Sequence, residues 1–317
     1  MMLNLGTIDI SRIKVDYRTN EMAANVDLGK LLVEMNKLDL KNQLADINNI
    51  SLNDTRASLT FAKPQTVKKA VVKTIKKLDN LVAKPQSTKG WAAVLRKISF
   101  KNDNIQFDNN AQKPIAKGLD FAHMNIRDLN ADLEDLRYST DTTSGKINNL
   151  TFSEKSGLEI KKFHTAFFYG QHKSYLNDLY LETPQTVLQK KVEVGYPSLD
   201  NISKDLGQIS INADLDGSRL GLKDVLLMIP SMASMEPFKH SPNSVFRING
   251  KVIGKVNDLS IPSLEITGLS NTHIKASAKM KGLPNVNKAY FDLTIADFNT
   301  SRSDLNKVVP AGMIPSN

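Results

Sequence analysis

The chain has 317 residues, 40% of them hydrophobic and only 6% aromatic, with a formal net charge of +9 and no cysteine. That length allows about two domains with an aliphatic core, and the missing cysteine excludes disulfides, thiol chemistry and cysteine-ligated zinc. The basic excess does not point to nucleic acid, because Thr66 to Lys84 alone holds six lysines against one aspartate and the strand-like segments are close to balanced.

In chain order, Met1 to Ile10 already alternates like a strand and lacks the basic start and apolar centre of a leader. We therefore expect an internal piece of a longer protein. No apolar run reaches the roughly 18 residues of a membrane-spanning helix. Residues 3–61 keep period two through Ile8/Ile10, Ile13/Val15/Tyr17, Ala24/Val26/Leu28, Leu38/Leu40, Ile50/Leu52 and Leu59/Phe61, which predicts a meander of about six strands. Residues 66–84 switch to helical period: Val67, Val71, Ile75, Leu78 and Val82 share a face, between Pro64 and Pro85. On the opposite face Lys68, Lys69, Lys73, Lys76 and Lys77 are candidates for contact with anionic lipid headgroups; the competing reading is a helix packed on the sheet with its lysines in water. Strand patterns resume at Leu95–Phe100, Ile105–Phe107, Leu119–Ile126, Leu129–Leu136, Ile147–Phe152 and Leu158–Phe167, and run on through 176–195. Asp214-Leu215-Asp216-Gly217 has the Asp-Gly pair of a tight hairpin. Arg219–Ile229 predicts a short helix ended by Pro230, a second meander covers 245–295, and Ser301–Val309 a last helical turn.

One phrase recurs: Ile47-Asn48-Asn49-Ile50-Ser51-Leu52, Ile147-Asn148-Asn149-Leu150-Thr151-Phe152, Leu176-Asn177-Asp178-Leu179-Tyr180-Leu181 and Val256-Asn257-Asp258-Leu259-Ser260-Ile261. It reads as an Asn-containing turn feeding a half-buried strand. The pairs Ile50/Leu52, Leu150/Phe152, Leu179/Leu181 and Leu259/Ile261 then each lie on one strand face. Residues 1–62 and 94–168 read as two diverged copies of one β-unit, with Ile8-x-Ile10 matching Ile98-x-Phe100.

Catalytic signatures are missing. His123, His164, His172, His240 and His273 have no metal-ligand spacing, and there is no phosphate loop or Gly-x-Ser-x-Gly elbow. Glu154-Lys155-Ser156-Gly157 reads as a turn with glycine at positive φ. We expect no enzyme, no cofactor and no metal site.

The segment Gly250-Lys251-Val252-Ile253-Gly254-Lys255-Val256-Asn257-Asp258-Leu259-Ser260-Ile261 continues through Leu264-Glu265-Ile266, Thr272-His273-Ile274-Lys275-Ala276, Gly282-Leu283-Pro284 and Tyr290-Phe291-Asp292-Leu293-Thr294-Ile295. It resembles the repeated-strand portion of the TamB family within the AsmA-like group. Trp91, Ile98, Phe100, Ile105 and Phe107 resemble the opening strands of AsmA-like units. The resemblance implies a long cell-envelope protein, anchored in the inner membrane by a segment absent from this chain and crossing the periplasm. Its elongated β-structure would carry an apolar groove of the β-taco type. It also implies a role in phospholipid transport or outer-membrane protein assembly, with an outer-membrane barrel partner bound through other regions.

The expectation is thus a mainly β chain: an elongated, curved antiparallel sheet with a few short helices. Its parts are a first β-unit (1–62), the basic helix and linker (63–90), a second β-unit (91–204) and a third (205–317) with a short helix near 219–229. The eight apolar residues of the four pairs are candidate groove residues for phospholipid or for nascent outer-membrane strands, with no nucleic-acid partner. The alternative is a structural or adhesive β-repeat module with a closed core and no ligand.

Overall fold

The computed structural model describes residues 2–3, 6–61, 90–199, 205–235 and 238–308. The basic stretch 66–84, with its five candidate lysines, lies outside them. The chain is mainly β and divides into two compact units, Met1–Ile160 and Lys161–Asn317.

The first unit contains β1 (Met2–Leu3), β2 (Thr7–Arg18), β3 (Met22–Asp39), β4 (Leu44–Asn53), β5 (Arg56–Phe61), β6 (Ala92–Asn109), β7 (His123–Tyr138), β8 (Thr142–Glu154) and β9 (Glu159–Ile160). Antiparallel β3 pairs with β2 on one side and with β4 and β5 on the other. β6 then runs parallel to both β4 and β5 before the antiparallel ladder resumes through β7, β8 and β9. The sheet is therefore mixed. Parallel neighbours require a crossover rather than a tight turn.

Strands in 7–61 are fewer and longer than the six expected. The polar interruptions at Arg12, Asp54, Asn102 and Asp128 do not reverse the chain. Each takes a left-handed conformation, with φ of 56°, 53°, 55° and 53°. Around them the strand continues on the same neighbours: β2 passes through Arg12 without a register shift against β3, and β4 and β5 keep one register on β3 across Asp54. A single left-handed residue interrupts the pleat without making a turn. The shared level of these kinks forms a crease across the unit. Arg12 and Asn102 hold the same place in the two copies, two residues beyond Ile10 and Phe100.

The second unit contains β10 (Lys162–Gly170), β11 (Lys173–Glu182), β12 (Val187–Gly195), β13 (Ser210–Asp214), β14 (Ser218–Gly221), helix α1 (Leu222–Met228), β15 (Val245–Lys255), β16 (Asp258–Gly268), β17 (Thr272–Lys281), β18 (Tyr290–Asn299) and α2 (Arg302–Val308). Both expected short helices are present. The Asp-Gly turn is present too, with Gly217 at φ 76°, but it is not a hairpin. β13 and β14 run in the same direction, each antiparallel to β12 and β15. Leu215 N–H donates to Gly250 O (2.9 Å) and Gly217 N–H to Asn249 Oδ1 (2.7 Å), which keeps the loop on β15 instead of folding it back. Gly157 does occupy the expected turn, at φ 96°.

Candidate functional site: the apolar sheet face

In the first unit the register fixes the face of every side chain, since cross-strand partners lie on the same side. One row runs Ile8–Val33–Ile50–Ile98–Leu133–Ile147. The next runs Ile10–Leu31–Leu52–Phe100–Ala131–Leu150. Beyond the crease, Val15–Val26–Ala57–Ile105–Ile126 and Tyr17–Ala24–Leu59–Phe107–Met124 continue the pattern. Apolar positions resume at odd spacing past each left-handed residue, as Ile10 to Ile13 and Phe100 to Ile105 show. That spacing is what a single apolar face needs to survive an interruption of the pleat.

The recurring phrase belongs to this construction. In three of its four copies the Asn pair is not a turn, as its composition suggested, but a β-bulge inside a strand. Val33 and Met35 pair with Ile50 and Ile47, leaving Asn48 as the extra residue. Ala131 and Leu133 pair with Leu150 and Ile147, leaving Asn148. In β11, Val192 and Lys190 of β12 pair with Leu176 and Leu179, leaving Asp178 at φ 50°. The bulge absorbs one residue, so apolar positions three apart share a face. At the first copy Asn36 is bulged from the facing strand as well, and the Asn36 and Asn48 side chains hydrogen-bond each other in both directions. Only the fourth copy is a turn, the Val256-Asn257 loop between Lys255 and Asp258.

Beneath the crease the apolar face contains a buried polar pair, Thr55 and Asp103. Asp103 is fully buried and accepts from the backbone N–H of Thr55 (2.8 Å) and of Lys101 (3.1 Å). Burial pushes its carboxyl above the usual carboxylate range, against the lowering effect of those two amides. The kinks at Asp54 and Asn102 turn these N–H groups out of the ladder, and the carboxylate satisfies them. Nothing in the sequence distinguished Asp103 from a surface aspartate.

Of the sequence candidates, Ile50, Leu52, Leu150 and Phe152 are half-buried, and Leu52 and Leu150 share a row. Phe152 pairs with Ile160. In the second unit Leu181 is half-buried between Phe163 and Leu188, while Leu179 and Leu259 are buried, at 6% and 8% exposure. Leu259 extends to Met280 and Phe291, and Ile261 to Ala278 and Leu293.

The terminal strands of the two units carry exposed apolar residues outside the four candidate pairs. On β2, Ile8, Ile13, Val15 and Tyr17 are 41–50% exposed. On β18, Phe291, Leu293, Ile295 and Phe298 are 51–60% exposed. Their alternation was visible, but exposure depends on which strand ends a unit. Across the described residues only nine apolar side chains are buried, so most of both apolar faces is only partly covered. A concavity of about 500 Å³ in the first unit is lined mostly by polar side chains, among them Lys14, Asp27, Arg56, Ser58 and Gln106, which alternate along their strands with Val15, Val26, Ala57 and Ile105. No group of three or more His, Asp or Glu side chains suited to a metal occurs among the described residues.

No protein-family model and no curated protein matches the chain.

Proposed function

We propose that this chain is a periplasmic strand-repeat segment of a TamB-like envelope protein, and that its apolar face carries phospholipid acyl chains between the inner and outer membranes. The observation that supports this reading most is the set of continuous apolar rows. They run in register across the strands of a unit, stay half-buried, and end on the exposed strands β2 and β18. A sheet face of that composition calls for an apolar cover, and each methylene of an acyl chain laid on it contributes roughly 0.8 kcal/mol.

A second reading, the holding of nascent outer-membrane strands, draws on β18. Among the described residues of its unit β18 pairs only with β17, and all ten of its residues are exposed. An unpaired strand edge of this kind accepts a further strand.

Lipid extraction and native mass spectrometry of the chain purified from bacterial envelopes test the first reading. Phospholipid should co-purify and be displaced by detergent. A protein that emerges lipid-free and takes up no phospholipid from vesicles rules the groove out.

A further inference from the structure

One row of the second unit has a different chemistry from all the others. Arg219, Arg247, Thr267, His273 and Asn299 are in register across β14, β15, β16, β17 and β18. Every one of the five can donate a hydrogen bond, and none is acidic. Arg219 and Arg247 stand directly opposite each other, a like-charge pair that destabilises a sheet. Neither arginine forms an ion pair with a carboxylate among the described residues.

The nearby acids are already engaged. Glu265 and Asp297 bind the two ring nitrogens of His273, at 2.9 and 3.0 Å, and Lys275 adds to Glu265 at 3.6 Å. Glu182 accepts from the Tyr180 hydroxyl at 3.0 Å. Arg219 is fixed through Nε, which donates to Gln185 O at 3.1 Å. Arg247 is exposed. The row floors a concavity of about 680 Å³ with a polar lining, closed at one end by the turn Leu269-Ser270-Asn271. The amides of Ser270 and Asn271 are held by Asp304 and are not free to bind.

We propose that this concavity binds a phosphate ester, with Arg219 and Arg247 as the paired guanidinium donors and Thr267 as a neutral donor beside Arg247. Paired guanidinium groups match a tetrahedral oxyanion in geometry and charge, and the volume exceeds what inorganic phosphate needs. The ester is either a soluble phosphate or a lipid headgroup, and the site does not depend on the apolar-face reading.

Calorimetric titration of the full chain with inorganic phosphate, sn-glycerol 3-phosphate and dihexanoyl phosphatidylglycerol tests it, using Arg247→Gln and, as a control on the same sheet, Lys279→Gln. Saturable binding of at least one probe is expected, about tenfold weaker in R247Q and within about twofold of wild type in K279Q. Binding of glycerol phosphate identifies a soluble ester as sufficient; binding of the short-chain lipid alone identifies the headgroup. Without ligand, R247Q should melt no lower than wild type, because a like-charge contact is gone. Loss of structure in R247Q, equal weakening in both variants, or no saturable binding of any probe overturns the proposal. Uptake of an uncharged apolar dye should be unchanged in R247Q, which separates this site from the apolar face.

Discussion

Leu52 and Leu150 lie in one row of one apolar face, joined through Phe100 and Ala131, although each comes from a different copy of the same sequence phrase. In the first unit both copies of the phrase meet the same problem. An extra polar residue is pushed out of the ladder, and the apolar side chains on either side of it stay together.

The first prediction concerns that extra residue. Asn148 is exposed and unpaired in the β7–β8 ladder, so Asn148→Ala should change stability by less than about 1 kcal/mol. Deleting Asn148 removes the bulge and turns either Ile147 or Leu150 to the wrong face, at a cost of more than about 3 kcal/mol. Urea unfolding of the two variants checks this. Equal midpoints would show that the bulge does not set the face.

Much of this face was legible from residue order. Period two located the strands, and the pairs Ile50/Leu52 and Leu150/Phe152 do lie along one side. What residue order did not convey was the meaning of the polar interruptions. Asn-Asn and Asn-Asp are good turn formers, and nothing local separates a turn from a bulge; the difference lies in whether a facing strand keeps pairing on both sides. The same holds for Asp214–Gly217, whose Asp-Gly pair makes a turn while β15 holds both flanking strands in line. The parallel β4–β6 and β5–β6 contacts were hidden for a related reason, since alternation carries no sign of strand direction. Exposure on β2 and β18 was hidden because it depends on which strand ends a unit among the described residues.

A second prediction addresses the crease. Asp103→Ala orphans the buried N–H groups of Thr55 and Lys101, and should cost about 2–5 kcal/mol. Asp103→Asn keeps one acceptor and should cost less. The sign of the pH effect follows from a carboxyl whose folded pKa is raised. Its charged form is penalised in the fold, so wild-type stability should decline as pH rises from the ordinary value near 3.8 through the raised one. D103N should lack that decline. Chemical denaturation across the acid range measures both.

The third prediction is a latch that acid opens. Asp304 of α2 is fully buried and accepts from Asn271 N–H (2.7 Å), Ser270 N–H (3.1 Å) and the Thr272 hydroxyl (3.2 Å), with Lys307 at 3.1 Å. The Asn271 amide bond, then Lys307 and Ser270, outweigh burial and hold its carboxyl down at about 2. A depressed folded pKa gives stability that is complete above the unfolded value near 3.8 and lost as pH falls through about 2. Protection of the Ser270 and Asn271 amides, relative to the intrinsic exchange rate at each pH, should therefore fall between about pH 4 and 2, and should be low at neutral pH in Asp304→Ala. Protection that persists in the variant would refute the latch.

A fourth prediction runs the other way in pH. His123 is buried between two acceptors: Nε2 lies 2.9 Å from Gln112 O and Nδ1 lies 3.2 Å from Asp108 Oδ1, with Asp120 also nearby. Only the imidazolium can donate to both, and the Gln112 carbonyl, followed by Asp108, raises its pKa above 6.5. Stability from a raised histidine is complete below the unfolded value near 6.5 and is lost as pH rises through the folded one. The 110–122 loop should thus loosen on the alkaline side of neutrality, seen as faster exchange of the Ile115 and Ala122 amides that Asp120 holds. In His123→Phe the protection of these amides, relative to the intrinsic exchange rate at each pH, should be low and flat with pH.

The last prediction separates an open apolar face from a closed core with two aspartate substitutions of similar chemistry. Leu179 is 6% exposed, whereas Val15 is 48% exposed on the terminal strand of the first unit. An unpaired charge at Leu179 has no access to water, so Leu179→Asp should unfold the second unit, since the penalty for burying it exceeds the stability of a typical domain margin. Val15→Asp leaves its carboxylate in solvent and should keep the circular dichroism spectrum and lose less than about 1 kcal/mol. It nevertheless places a charge in the apolar row of Val26, Ala57, Ile105 and Ile126. If acyl chains lie there, V15D should take up markedly less phospholipid from vesicles than wild type. Unchanged uptake by a folded V15D protein would mean that this part of the face carries no lipid.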